Sequence, residues 1–465
     1  MARVLVRQGG LALGLAALLA CLLLPPLFDG LSGRGQQAIV VTVITVVLWT
    51  TNVLESGTTA IVALALLALS GAAPNIREAL RGFVNPVPYF LIGVLSMGLA
   101  VARSGLAERI ARRILAHARG RSLSVYVHLV TAMPILTFLL PSATTRSSIL
   151  VHIYEEVFTF GLLPPDASIR KAVMLALSSI NRLASTALLT GGITPMMSAA
   201  IICGGISWSA WFTLMAVPYW GFLLLGALLT ALLYRRGLTQ TLPATDLGRA
   251  GPWTGREART LAIVLGASAL WLTDAIHHLD PAIPALLALI ALLTPGLGPL
   301  TWSDIDRGVG WSNFVVIGAS VSLAHALGES GAAAWLARGL VGTVPGLSGH
   351  GLATIVLLML GATVLRALVP NISGFLALAL PVAMSVGREA ELNPLLCALV
   401  VMMTGDAVLY YPAQSASALV IYERGHVTAA EILKFGIWMT LVAYVAILAV
   451  ALPYWTLIGQ RLVAP

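Results

Sequence analysis

Long apolar runs broken by short polar interruptions run the length of the chain. Runs at 11–28, 210–234 and 436–458 reach the ~20 residues that carry a helix across a bilayer. The pattern predicts a first helix near 11–28, then spans near 37–53, 57–73 and 87–103. An amphipathic surface helix follows near 105–117. The apolar stretch 123–160 is too long for one span and is interrupted at Pro141, so it reads as a re-entrant hairpin. Irregular backbone at membrane depth survives only where protein or a cavity surrounds it. A helix near 171–200 breaks at 190–195, and a span near 208–234 closes the series.

The plan then recurs. Spans are predicted near 260–276, 281–297 and 311–327, with a surface helix near 330–342. A second hairpin covers 351–388, interrupted at 370–374. A helix near 394–424 breaks around Tyr411 and Pro412, and a last span covers about 434–458. The expected fold is all-α integral membrane, with about eleven transmembrane helices plus two re-entrant hairpins.

The recurrence is visible residue by residue. The stretch from Trp49 aligns without a gap on the stretch from Trp271: Thr51 falls on Thr273, Leu54 on Ile276, and Ala60-Ile61 on Ala282-Ile283. Ser104-Gly105 matches Ser330-Gly331, and Leu140-Pro141-Ser142 matches Val369-Pro370-Asn371. The segments 36–234 and 260–460 are therefore expected to be two repeats, preceded by an N-terminal end at 1–35 and joined by a linker at 235–259. Paired repeats with broken helices at matching places point to a secondary transporter whose site lies between them.

Composition agrees. The chain is 58% hydrophobic and 10% charged, against about 25% charged in soluble domains. Charge placement adds topology. Segment 103–121 carries six arginines against Glu108, whereas its counterpart at 328–350 carries Arg338 and Glu329. Positive charge marks the cytoplasmic side, so the repeats are expected to be inverted, with the N-terminus cytoplasmic and the C-terminus outside a cell membrane. Topology accounts for the net charge of +8 without a nucleic-acid partner. Arg3 and Arg7 before an apolar run ending at Cys21 resemble a signal peptide, but an uncleaved first helix is the preferred reading. Cys21, Cys203 and Cys397 have neither metal-ligand nor disulfide spacing. No nucleotide-binding motif is visible.

The order of elements resembles the divalent anion/sodium symporter family, which carries dicarboxylates, citrate or sulfate. In that family each hairpin tip bears Ser-Asn-Thr; the matching positions are Ser142-Ala143-Thr144 and Asn371-Ile372-Ser373. Gly192-Ile193-Thr194-Pro195 resembles the first of the family's two Gly-Thr-Pro-like breaks, and the segment 393–436 resembles the region around the second. The resemblance implies a homodimer that moves small anions by an elevator motion. It also implies a substrate site at Ser142, Thr144, Thr145, Gly192, Thr194, Asn371, Ser373, Ser415 and Ser417; Arg146 joins them on its own residues, as a charge set among the hydroxyl side chains of 142–148. Half-helix N-termini suit an anion there.

Both family asparagines are replaced, by Ala143 and Ile372. These offer only backbone carbonyls to a cation, leaving a weak sodium site near Ser142 and Ser373. A strict sodium requirement is therefore not expected, with the Arg146 charge standing in part for a bound cation. Charges inside a membrane are costly and usually functional or paired. Arg182 and Asp406 sit at near-equivalent places in the two repeats, where they form a salt bridge or take part in coupling or gating. Asp406 is the candidate proton carrier; anion exchange is the other drive. Arg146 has an alternative pairing with Glu155 or Glu156, and Arg366 a structural role at its hairpin. A competing reading is an intramembrane enzyme, for which Ser142 or Ser147 with His152 is the candidate nucleophile–base pair. A non-transporting receptor or a channel on the same scaffold is the third reading.

Overall fold

The computed structural model describes residues 14, 16–118, 121–140, 142–160, 162–164, 167–203, 205–241, 251–342 and 350–463, which are almost wholly helical. Residues 1–13, the middle of the linker at 242–250 and position 345 lie outside the described residues.

In the first half, α1 (Gly33–Thr51), α2 (Ser56–Leu69) and α3 (Val87–Ser104) precede a short α4 (Leu106–Leu115). The hairpin arms are α5 (Ser122–Leu139) and α6 (Ala143–Phe160). The broken helix begins with α7 (Ser168–Leu175), passes through a π-turn at Ala176–Ile180 and a single turn at Leu183–Thr186, and resumes as α8 (Ile193–Cys203). Next is α9 (Trp208–Leu233). In the second half, α10 (Gly255–Leu272), α11 (Ala282–Leu293) and α12 (Trp311–Glu329) precede α13 (Ala332–Gly342). The second hairpin is α14 (Gly351–Leu368) and α15 (Ile372–Glu389). Its broken helix is α16 (Pro394–Ala407) and α17 (Ala416–Glu423), and α18 (Ala429–Ala446) extends to Leu457. Among the described residues, seven helices are long and apolar enough to cross a bilayer, and four shorter apolar helices accompany them.

Helix ends fall where local chemistry puts them. Ser32, Ser207 and Asn371 cap α1, α9 and α15 by accepting from free N–H groups of the first turn. Thr254 with Glu257 and Thr428 with Glu431 form capping boxes on α10 and α18. A short helix at Trp302–Gly308, absent from the sequence pattern because it is too short to show a period, is capped by Thr301 and Asp304. There the Thr301 amide and hydroxyl, followed by Arg103, hold the Asp304 carboxyl down at about 2.

Packing between the halves is reciprocal. Helix α3 lies on α11, and its counterpart α12 lies on α2. The first contact is close enough that a Cβ on Gly93 would sit 2.6 Å from the Ala285 carbonyl oxygen. Likewise α8 packs on the second hairpin's α15, and α17 packs on the first hairpin's α6. Each hairpin thus rests on the broken helix of the other half, which brings both tips and both breaks together. The amphipathic α4 bridges two parts. Arg109 donates to Glu257 at 2.6 and 3.0 Å on α10, while Arg112 pairs with Glu156 on α6 at 2.9 Å.

Candidate functional site: a cavity between the hairpin tips and broken helices

A cavity of about 510 Å³ opens where these elements meet. The start of α6 contributes Ser142, Thr144 and Thr145, and the first break contributes Gly192 and Thr194. The second break adds Gln414 and Ser415, and the loop before α12 adds Gly310. Backbone geometry shapes the floor: Gly192 has φ of 150° and ψ of −167°, a conformation essentially reserved for glycine.

Arg182 and Asp406 both line this cavity, joined by a 2.9 Å ion pair, with side chains 11% and 5% exposed. The carboxylate also accepts from the Thr186 hydroxyl at 2.9 Å and the Thr194 hydroxyl at 3.3 Å. Asp406 is therefore well satisfied. Arg182 is not: its Nε and one terminal nitrogen are buried without a partner. Unsatisfied buried donors are rare in proteins and call for an explanation. Arg182 itself lines the cavity, and a guanidinium with spare donors is a group suited to an oxyanion.

Arg146 is placed differently from the expectation that it contacts substrate. It is fully buried and absent from the cavity lining. Its guanidinium donates to Asn181 Oδ1 at 3.1 Å, to the Asn181 carbonyl at 3.0 Å, to the Leu140 carbonyl at 2.6 Å, and to the Ser185 hydroxyl. Neither Glu155 nor Glu156 is its partner. Glu155 binds Arg424 and His426, and Glu156 binds Arg112. Arg366 takes the structural role at its hairpin and also borders the cavity.

Of the other expected site residues, Ser142, Thr144, Thr145, Gly192, Thr194 and Ser415 border the cavity together. Asn371, Ser373 and Ser417 do not. Asn371 caps α15, accepting from the Ser373 and Gly374 amides at 2.8 and 3.3 Å, Ser373 is buried, and the buried Ser417 hydroxyl pairs with Ser415 at 2.8 Å. Ser142 and Ser373 are accordingly not brought together around one cavity, and the Ser142 hydroxyl is engaged by the Thr145 amide at 3.2 Å. Sequence reasoning missed Asn181, Thr186, Asn313 and Gln414. Asn181 carried a signal, being an amide beside an arginine in an apolar run.

The enzyme pair does not form. His152 is 63% exposed and lies 3.0 Å from Arg424. The Ser147 hydroxyl donates to the Leu177 carbonyl and accepts from Asn181 at 2.9 Å.

Comparison with known proteins agrees with this architecture. The transmembrane region of the sodium:sulfate symporters matches residues 8–460. A citrate/succinate antiporter of Escherichia coli is 25% identical over 79% of this chain and 78% of its own length. A putative malate transporter of Bacillus subtilis is 26% identical over 70% of each. The YdaH transporter of Alcanivorax borkumensis shares the fold, with a TM-score of 0.53 at 15% identity over 92% of this chain and 98% of its own. The MtrF efflux pump of Neisseria gonorrhoeae gives 0.54 at 15% identity over 90% and 94%. The chain belongs to the sodium:sulfate symporter family and is a multi-pass membrane transporter, not an enzyme.

Proposed function

We propose that this protein is a secondary transporter of small anions bearing carboxylate or sulfate-like groups: a di- or tricarboxylate, sulfate or a related oxyanion. The observation that carries the reading is that Arg182, two of whose donors have no partner, lines a hydroxyl-rich cavity. Arg182 is the principal anion contact, with Ser142, Thr144, Thr145, Thr194 and Ser415 as surrounding donors. Gly192 lets backbone approach the ligand closely. Asn371, Ser373 and Ser417 shape the site from behind by fixing helix ends. Transport proceeds by elevator motion of the hairpins and broken helices against the remaining spans, and α4 is the arm that joins the two parts. The working unit is a homodimer in the cell membrane, N-terminus cytoplasmic and C-terminus outside, built from repeats at 36–234 and 260–460.

Coupling is by anion exchange, or by a proton on Asp406, rather than by strict sodium dependence. Two observations support the lack of a strict sodium requirement. The asparagine side chains of the family motif are replaced by Ala143 and Ile372, and Asp406 already has an arginine and two hydroxyls as partners. The test is a thermal-shift screen of purified protein against succinate, citrate, tartrate, sulfate and phosphate, with sodium or choline as counter-ion. A ligand that prefers the folded state raises the melting temperature by mass action. The wild type should be stabilised by at least one of these anions and Arg182→Gln by none. An anion that stabilises both equally would remove Arg182 from the site.

A further inference from the structure

Beside the Arg182–Asp406 pair stands a phenol with no hydrogen-bond partner. Tyr219 lies in α9, which packs against the single turn Leu183–Thr186. Trp208, Trp211, Met215, Tyr219 and Phe222 recur along the buried side of that helix at helical spacing. Trp211 fixes the contact, its indole N–H donating to the Thr186 carbonyl at 3.1 Å. About two turns further on, Tyr219 is fully buried, with Asp406, Arg182 and Thr186 as charged and polar neighbours. Its hydroxyl nevertheless makes no hydrogen bond. Arg182, Thr186 and Asp406 line the transport cavity and Tyr219 does not, so the phenol stands behind the pair.

A buried tyrosine hydroxyl usually finds a partner, and one left without a partner is destabilising. The carboxylate beside it has room. An ionised carboxylate offers about four acceptor positions on its two oxygens. Arg182 and Thr194 donate to Oδ1 of Asp406, and Thr186 alone donates to Oδ2. Arg182 holds Asp406 through one terminal nitrogen, while its Nε and other terminal nitrogen are buried without a partner. Those two nitrogens form the planar fork that grips an oxyanion. Because they are buried, the side chain must turn to bring the fork to an anion in the cavity. That turn withdraws the nitrogen that holds Asp406.

We propose that Tyr219 is a positioning residue for anion binding: its hydroxyl takes over Asp406 when Arg182 turns its free donors toward the anion. This rests on the reading of Arg182 as the anion contact. Without the phenol, the turn leaves a buried carboxylate short of a donor, the situation that makes breaking a buried pair so unfavourable. With it, an O–H to carboxylate bond, shorter and stronger than one between neutral groups, replaces the ion pair. The phenol keeps its proton throughout, and the charge of the site is unchanged.

The test is a set of melting curves on purified proteins in detergent. Tyr219→Phe removes an unpartnered hydroxyl, so alone it should melt at or above the temperature of the wild type. In Arg182→Gln the carboxylate has lost its cation and the phenol takes its place. Tyr219→Phe should therefore lower the melting temperature of that variant by several degrees. Thr186→Val frees Oδ2 and is the second background, with the same expectation, if Arg182→Gln is not recovered. An equal drop in wild type and variant backgrounds, or no drop in any, would overturn the take-over. These readings need no anion, so they stand apart from the fate of Arg182 as the anion contact. The second arm titrates succinate, citrate and sulfate against melting temperature. For each of these that stabilises the wild type, Tyr219→Phe should bind about tenfold more weakly or worse, as loss of a hydrogen bond to a charged group implies, with its unligated stability intact. Undiminished affinity in Tyr219→Phe would overturn the positioning role. If none of the three stabilises the wild type, the anion reading falls and the melting cycle alone decides the fate of Tyr219.

Discussion

Breaking the Arg182–Asp406 pair is the most informative perturbation of this fold. The two side chains are 11% and 5% exposed, and the bond length is 2.9 Å. Removing one partner of a buried pair typically costs about 3–5 kcal/mol, because the other charge is left uncompensated. Here the Thr186 and Thr194 hydroxyls continue to hold Asp406, which moves the expected cost of Arg182→Gln to the lower end, about 3 kcal/mol. Asp406→Asn strands a cation that already has two unpartnered nitrogens, so its cost should be at least as large. The double variant removes both charges and should lose less than the sum of the single losses, with a coupling of about 1–3 kcal/mol. At ~2 °C per kcal/mol for a large chain, Arg182→Gln lowers the melting temperature by roughly 6 °C. Melting curves of the four proteins in detergent supply the cycle. Single variants as stable as the wild type, or strictly additive losses, would refute the claim that the pair is desolvated and coupled.

Other expectations follow from single positions. Gly192→Ala forces a side chain into a glycine-only conformation at a cost of about 1–3 kcal/mol and should abolish most anion uptake, readable in cells at matched expression. The Asp304 carboxyl, held at about 2, contributes stability that is complete above the ordinary aspartate range and is lost as pH falls through about 2. Asp304→Asn should therefore melt lower than the wild type at pH 7 and converge with it in acid, as read from melting temperature against pH. For orientation, a cysteine at Arg113 should resist an impermeant thiol reagent in intact cells, while one at Pro345 should react, on a background lacking Cys21, Cys203 and Cys397.

The sequence made the architecture legible because apolar length and periodicity are local signals. Breaks at Pro141 and Pro370, at Gly191-Gly192 and at Pro412 mark the hairpins and broken helices, since proline and glycine interrupt helices by their own backbone chemistry. The meeting of Arg182 with Asp406 was accessible for the same reason: two charges at near-equivalent places in two repeats have few other partners. The destination of Arg146 was not accessible. Its neighbours Thr144 and Thr145 border the cavity, and only the helical rotation of α6 decides which side chains turn away from it. The acceptors that claim Arg146 are largely backbone carbonyls and an amide on another helix, which leave little trace in composition. Asn371 was misplaced for a related reason. An asparagine ahead of a helix is as suited to capping its own first turn as to binding a ligand, and here it caps.

Exchange in proteoliposomes tests the central claim most directly. Vesicles containing the wild type or Arg182→Gln are loaded with unlabelled succinate or left empty, and uptake of labelled succinate, citrate or sulfate is followed in sodium or choline buffer at fixed pH. The account predicts uptake of at least one of these anions into loaded wild-type vesicles, equal in sodium and choline, small in empty vesicles, and lost in Arg182→Gln. Saturable uptake into empty vesicles that requires sodium, or full exchange by Arg182→Gln, would contradict it.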